Sequence, residues 1–238
     1  MKKVHILTPV KDSLETTLDT ICSVMTSEMT VPYTYTIYDD FSAPETAQRL
    51  DEEAARWGFR VVHLADVTAH PSPNYLLVLQ MAQQEALEQE AALCIVESDV
   101  TLQPDTLQKL CDGAVQRPDC GIAAAVTVDE AGEINYPYLH VKGNRGEVLE
   151  TKKHCSFCCS LLTPALLKKY AFTSLNPEKN WYDVTISHES LALGLKNYLF
   201  TNLPVLHRPH QSRPWKQLKY KNPVLYYWKK FTKGLDKI

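Results

Sequence analysis

The chain has 238 residues, 45% of them hydrophobic, and a formal net charge of −3. This fits one large domain, or a domain with an elaborated end, and excludes a disordered chain; no repeat or low-complexity tract is present. The amino-terminal stretch MKKVHILTPVKDS has an apolar run broken by Pro9 and Lys11, too short for a signal peptide or a membrane span.

Lys3 to Thr8 reads as a strand. Leu14, Leu18, Ile21, Cys22 and Met25 recur at helical spacing behind Asp12 or Ser13 as cap. Tyr33 to Tyr38 is β-rich and ends on Asp39-Asp40. Pro44 to Trp57 reads as a helix stopped at Gly58, followed by a strand over Phe59 to Leu64. Asn74 to Glu90 is helical, Ala92 to Val96 is a strand, and a further helix runs from about Pro104 to Val115. Strands and helices alternating in this way, with the strands apolar throughout, indicate an α/β fold with a mainly parallel sheet.

The second half is less regular. Gly121 to Val128 reads as a strand, and residues 129–154 as irregular or hairpin structure around Asn144-Arg145-Gly146. Ser156 to Leu162 is a strand, and Pro164 to about Tyr170 a helix. Asp183 opens a helix with Val184, Leu191 and Leu195 on one face, and Tyr198 to Val205 is a last strand leading to His207. With no clean linker, the expected organisation is one catalytic domain over 1–207, its nucleotide-binding half 1–100 and acceptor-side half 101–207. A basic tail over 208–238 completes it.

That tail carries nine Lys or Arg and one acid, +8, against −11 for the rest of the chain. A basic end on an acidic body suggests its own partner, such as phosphate groups or an anionic surface. Val224, Leu225, Trp228, Phe231 and Leu235 recur there at helical spacing among Lys229, Lys230, Lys233 and Lys237. An amphipathic basic helix of this kind lies on an anionic membrane or packs its apolar side on the body, the latter slightly favoured. Seven scattered cysteines without a signal peptide point to free thiols and a cytoplasmic setting.

Ligands in such sheets collect at the carboxyl ends of the strands. Three ends carry polar clusters: Thr8-Pro9-Val10-Lys11-Asp12, Asp39-Asp40-Phe41-Ser42 and Glu97-Ser98-Asp99. Glu97 and Asp99 end a buried strand with one serine between them. They are either ordinary acidic punctuation at a solvated strand end, or half of a site for a hard cation such as Mg²⁺ or Mn²⁺. Cys155, Cys158 and Cys159 in HCSFCCSLL invite a zinc reading, but no second Cys-x-x-Cys exists, and cysteine is common in buried strands. His207 and His210 in HRPHQSRPW also read as surface histidines of a proline-rich turn, and Asp183 as a helix cap.

In order and spacing, VHILTPVKDS, YDDFSAPET, IVESDVTLQPDTLQKL, WYDVTISHESLALGLK and FTNLPVLHRP resemble the family 2 glycosyltransferases over about the first 207 residues. The resemblance implies a Rossmann-like nucleotide-diphospho-sugar transferase (A-type glycosyltransferase) fold, with a mostly parallel mixed sheet flanked by helices. It implies that Thr8, Pro9, Asp12, Asp39, Asp40 and Ser42 bind the nucleotide. Glu97, where the family usually has aspartate, meets the donor sugar, Asp99 binds a Mn²⁺ or Mg²⁺ ion that bridges the diphosphate, and His207 faces the diphosphate or that metal. Asp183 takes the proton from the acceptor hydroxyl. The expected activity is metal-assisted, inverting transfer from a nucleotide sugar, a UDP-sugar first, to a glycan or lipid-linked acceptor in cell-surface polysaccharide or glycolipid assembly. The expected setting is cytoplasmic, peripheral to the inner face of the membrane, with no nucleic-acid partner. The alternatives are a non-catalytic nucleotide- or glycan-binding protein on the same fold, and a nucleotidyltransferase. The latter ordinarily has a Gly-rich basic first loop, whereas TPVKDS has one lysine and no glycine.

Overall fold

The computed structural model describes residues 1–179, 181–208 and 222–233. Among them, nine strands join in one sheet. The amino-terminal part runs β1 (Val4–Val10), α1 (Leu14–Met25), β2 (Tyr33–Asp39), α2 (Pro44–Trp57), β3 (Arg60–His63), α3 (Tyr75–Glu88) and β4 (Ala92–Val96). Then follow β5 (Val100–Thr101), α4 (Thr106–Val115), β6 (Cys120–Val128), β7 (Val148–Thr151), β8 (Cys159–Leu162), α5 (Pro164–Lys169), α6 (Tyr182–Ala192), β9 (Lys196–His207) and α7 (Pro223–Lys233). The sheet order is β3-β2-β1-β4-β8-β6-β9-β5, with β7 also paired to β9. Strands β1 to β4 pair in parallel, and β8 is antiparallel to both β4 and β6. It is a mixed α/β sheet, parallel through its first half.

Strand β4 shows why the sheet is covered on both faces. All five residues are buried, and their side chains alternate between two cores. Ala92, Cys94 and Val96 join Ile21, Leu50 and Leu110, so α1, α2 and α4 cover that face. Leu93 and Ile95 join Leu79, Leu166 and Ile186, so α3, α5 and α6 cover the other. Each such leucine or isoleucine contributes about 1.5–3 kcal/mol by leaving water. Helix α2 has the bounds its local signals imply: Pro44 fits the first turn, and Gly58 stops it with φ 81°.

Strand β9 assembles the site. Its first half, Asn197 to Phe200, pairs antiparallel with β7, and its end, Leu206-His207, pairs antiparallel with β5. A register shift against β6 separates the halves. The two-residue β5, directly after Glu97-Ser98-Asp99, is thereby held beside His207.

Several local expectations are corrected. Neither Asp12 nor Ser13 caps α1 with its side chain; both sit in the left-handed region at φ 56° and 54°. Asp12 instead accepts from the Ala43 backbone N–H at 2.8 Å and donates its own N–H to Ser42 Oγ at 2.8 Å, clamping the loop after β1 to the loop after β2. Helix α4 begins at Thr106 rather than Pro104, whose carbonyl accepts from Glu28 N. The tight turn of residues 129–154 lies at Asp129–Glu133, closed by the Val128–Ile134 bridge, while Asn144-Arg145-Gly146 leads into β7, a strand not anticipated. Leu195 lies beyond the end of α6, which buries Tyr182, Ile186, Ser187 and Ser190 beside Val184.

All seven cysteines are free thiols. No described helix is long and apolar enough to cross a membrane. In the tail, α7 buries Tyr226 and exposes Val224, Tyr227 and Trp228. His210, Leu235, Lys237 and the side chains of Lys229, Lys230, Phe231 and Lys233 lie outside the described residues.

Candidate active site

Three chain segments converge where β4 ends. A turn closed by Val100 N–H donating to the Glu97 carbonyl at 3.1 Å ends the β4 strand and carries Glu97 and Asp99. The Glu97 N–H donates to the Cys158 carbonyl at 3.0 Å, extending the β4–β8 pairing by one residue. Across the other side, Arg208 N–H donates to the Asp99 carbonyl at 2.9 Å, extending the β5–β9 pairing. These pairings bring Glu97, Asp99, Cys158 and His207 together.

The ligand atoms of Glu97, Cys158 and His207 all lie within 4.8 Å of one another. Cys158 Sγ is 3.6 Å from Glu97 Oε2 and 3.8 Å from His207 Nε2, and His207 Nε2 is 3.6 Å from Asp99 Oδ2. His207 Nδ1 lies 3.1 Å from the Tyr136 carbonyl, a partner that needs an N–H, so Nε2 is the nitrogen turned into the cluster. Asp99, Cys158 and His207 are buried, while Glu97 is half-buried. Burial disfavours the imidazolium, but the contacts with Cys158 and the Asp99 carboxylate outweigh it and raise His207. Burial also holds the Cys158 thiol protonated, up to about 11, against the pull of His207. Two carboxylates, an imidazole and a thiol form a donor set that fits a divalent cation.

The nucleotide candidates divide by their present partners. Asp39 Oδ1 accepts from Ser42 N–H at 3.1 Å, and Oδ2 lies 2.8 Å from His63 Nδ1. Asp39, Phe41, Ser42, Asp51 and His63 line a cavity of about 360 Å³. His63 also meets Asp51 at 3.0 Å; burial opposes its charge, but the two carboxylates prevail and raise its pKa. Asp40 turns away and accepts from Ser72 Oγ, Asn74 N–H and Asn74 Nδ2 at 2.7 to 2.8 Å, which holds the loop before α3. Thr8 is fully buried with its hydroxyl accepting from Tyr35, and Pro9 beside it is partly exposed. A larger cavity of about 520 Å³ lies at the amino ends of β1 to β3, around His5, Arg60 and Glu85. It is remote from the carboxyl ends where the polar clusters meet.

Asp183 lies in the first turn of α6, where its Oδ1 accepts from Val184 N–H. Ser187, one turn on and on the same helix face, accepts from Cys155 N–H at 3.0 Å. That bond ties α6 to the segment carrying Cys158. Burial, then the charges of Cys120 and Asp183, raise Cys155. Cys158, which the sequence offered only within a disfavoured zinc reading, and His63, which sequence reasoning passed over, both lie at the candidate site. The signal for the first was HCSFCC immediately before an expected strand.

The mixed α/β sheet matches the A-type glycosyltransferase fold. The profile of the family described as "Glycosyl transferase family 2" matches residues 5–171, and the chain belongs to that family. No curated protein sequence matches. Among solved structures, S. aureus TarS residues 1–349 is similar with a TM-score of 0.65 at 14% identity, over 92% of this chain and 64% of that one. The mannosyltransferase PcManGT from Pyrobaculum calidifontis, in complex with GDP-Man and Mn²⁺, gives 0.63 at 13% identity over 96% and 64%. GalNAc-T7, with UDP, GalNAc and Mn²⁺, gives 0.65 at 12% over 87% and 44%. The chain thus spans less than two thirds of the length of each.

Proposed function

We propose that the protein transfers a sugar from a nucleotide-diphosphate donor, a UDP-sugar first, to a hydroxyl of a glycan or lipid-linked acceptor, with inversion at the anomeric carbon. The observation that carries this is the convergence of Asp99, His207 and Glu97 at the carboxyl end of β4, with the Asp39–His63 cavity at the carboxyl end of β2, two places away in the same parallel run of strands. In this reading Asp39, Ser42 and His63 hold the nucleoside. Asp12 and Asp40 shape the loops around it, and Thr8 and Pro9 give the backbone on which it rests.

Asp99 and His207 hold a divalent cation, Mn²⁺ or Mg²⁺ on the family expectation. When bound, it neutralises charge developing on the departing diphosphate. Glu97 points a carboxylate at the donor sugar and the same centre. Asp183 removes the proton of the acceptor hydroxyl as it attacks. A base with no protein nucleophile implies single displacement. Acceptor choice rests with residues 129–180, and residues 1–207 act as the catalytic domain. The tail, with Val224, Tyr227 and Trp228 exposed on a strongly basic segment, meets an anionic membrane surface at the cytoplasmic face.

A thermal-shift panel of nucleoside diphosphates with and without Mn²⁺ tests the reading. One diphosphate should raise the melting temperature only with metal, and Asp99→Ala should abolish the shift. If no diphosphate shifts the melting point at saturating metal, the reading fails.

A further inference from the structure

The three cysteines of HCSFCC are in different places. Cys155 belongs to the core under Tyr138 and α6, and Cys159 interacts with Cys94 inside the sheet. Cys158 alone has its sulfur against a carboxylate and an imidazole. We propose that Cys158 is a ligand of the cation centre, forming with Glu97, His207 and the adjoining Asp99 a mixed O, N and S set that takes Zn²⁺, Co²⁺ or Mn²⁺ in preference to Mg²⁺. This rests on the proposed cation-dependent reading and specifies its metal.

Three observations support it. The first is distance. With metal–oxygen and metal–nitrogen bonds of about 2.0–2.1 Å and a metal–sulfur bond of about 2.3 Å, a tetrahedral site places its ligand atoms about 3.3–3.6 Å apart. Cys158 Sγ, 3.6 Å from Glu97 and 3.8 Å from His207, is within a few tenths of an ångström of that spacing, and the ligand atoms of these three residues all lie within 4.8 Å of one another, with Asp99 3.6 Å from His207. The second is orientation. The Tyr136 carbonyl holds Nδ1 of His207, so Nε2 is the nitrogen presented to the cluster. Ser156 Oγ lies 3.2 Å from Cys158 Sγ, where its hydroxyl can donate to a thiolate. The third is softness. Mg²⁺ holds oxygen ligands at near-ideal octahedral geometry and parts reluctantly with water, whereas imidazole and thiolate favour zinc, cobalt and, less strongly, manganese. On binding, the S–H bond breaks, a metal–sulfur bond forms, and the proton leaves to solvent.

Co²⁺ titration of the full chain, followed by absorption, tests this without any donor or acceptor. The wild type should develop a near-ultraviolet thiolate-to-cobalt charge-transfer band saturating at one equivalent. Cys158→Ser should lose the band and bind Co²⁺ at least 10-fold more weakly, whereas Cys22→Ser should keep it. On the wild type alone, equimolar Zn²⁺ should displace the cobalt and a hundredfold excess of Mg²⁺ should not, a comparison that holds even if Cys158→Ser fails to fold. Tight Co²⁺ binding without the band, or easy displacement by Mg²⁺, overturns the sulfur ligand and leaves the cation-dependent reading standing. Failure to bind Co²⁺ at millimolar concentration overturns both.

Discussion

Asp99 and His207 meet across the short pairing of β5 with β9, carboxylate Oδ2 3.6 Å from imidazole Nε2, both side chains less than a tenth exposed. The contact is made by backbone register: Val100 pairs with His207, and Arg208 N–H reaches back to the Asp99 carbonyl. A residue about one hundred positions away is thus held at a fixed place relative to the end of β4. Preorganised placement of this kind lets a centre act on developing charge without reorganising during reaction.

Adjacent acids at the end of β2 should fail in different ways. Asp40→Ala strands the Asn74 backbone N–H and the Ser72 hydroxyl and removes one of the two acceptors of the Asn74 amide, and should cost about 2–4 kcal/mol in urea unfolding. Asp39→Ala should weaken nucleoside diphosphate binding by about 10-fold by calorimetry, the loss of one charged contact. Equal effects of the two substitutions on nucleotide affinity would remove the distinction.

Asp183→Asn keeps the size of the side chain and removes its basicity. Nucleotide binding should persist within about twofold, while transfer falls by about 10² to 10⁴. Unchanged transfer in a donor-consumption assay removes Asp183 as the base.

Stability should fall in mild acid through His5. Burial lowers its pKa from 6.5 to about 4, outweighing the attraction of Glu85, with Arg60 and Lys3 acting in the same direction as burial. As the pH falls, the unfolded chain takes up the proton first. The contribution is therefore fully present above about pH 6.5 and is lost as the pH falls from there through about 4. The whole shift is worth about 3 kcal/mol. His5→Asn should flatten the dependence of unfolding free energy on pH across that window; an unaltered slope assigns the acid sensitivity elsewhere.

What was legible in the sequence was local. Pro44 and Gly58 bound α2 because each conformational preference acts within one turn, and Ala-Leu-Cys-Ile-Val could only be a strand buried on both faces. The order of segments carried the family, and with it the place of Asp99 and His207. Long-range pairing was not legible. Strand β7 exists because Val148 to Thr151 meet Asn197 to Phe200, and nothing within four residues announces a partner so distant. Asp40 looked like its neighbour because Ser72 and Asn74, which occupy it, lie more than thirty residues on. Cys158 was weighed against a spacing rule for cysteine pairs, while its partners Glu97 and His207 are 61 and 49 residues away.

The central claim is that Asp99 and His207 would hold a divalent cation that would supply positive charge to the diphosphate of a nucleotide donor. Calorimetric titration of one nucleoside as mono- and diphosphate, with and without Mn²⁺, measures that coupling directly. The account predicts that Mn²⁺ tightens diphosphate binding at least 10-fold, leaves the monophosphate nearly unchanged, and loses this coupling in Asp99→Asn. Equal affinity for mono- and diphosphate, indifferent to metal in the wild type, would contradict it.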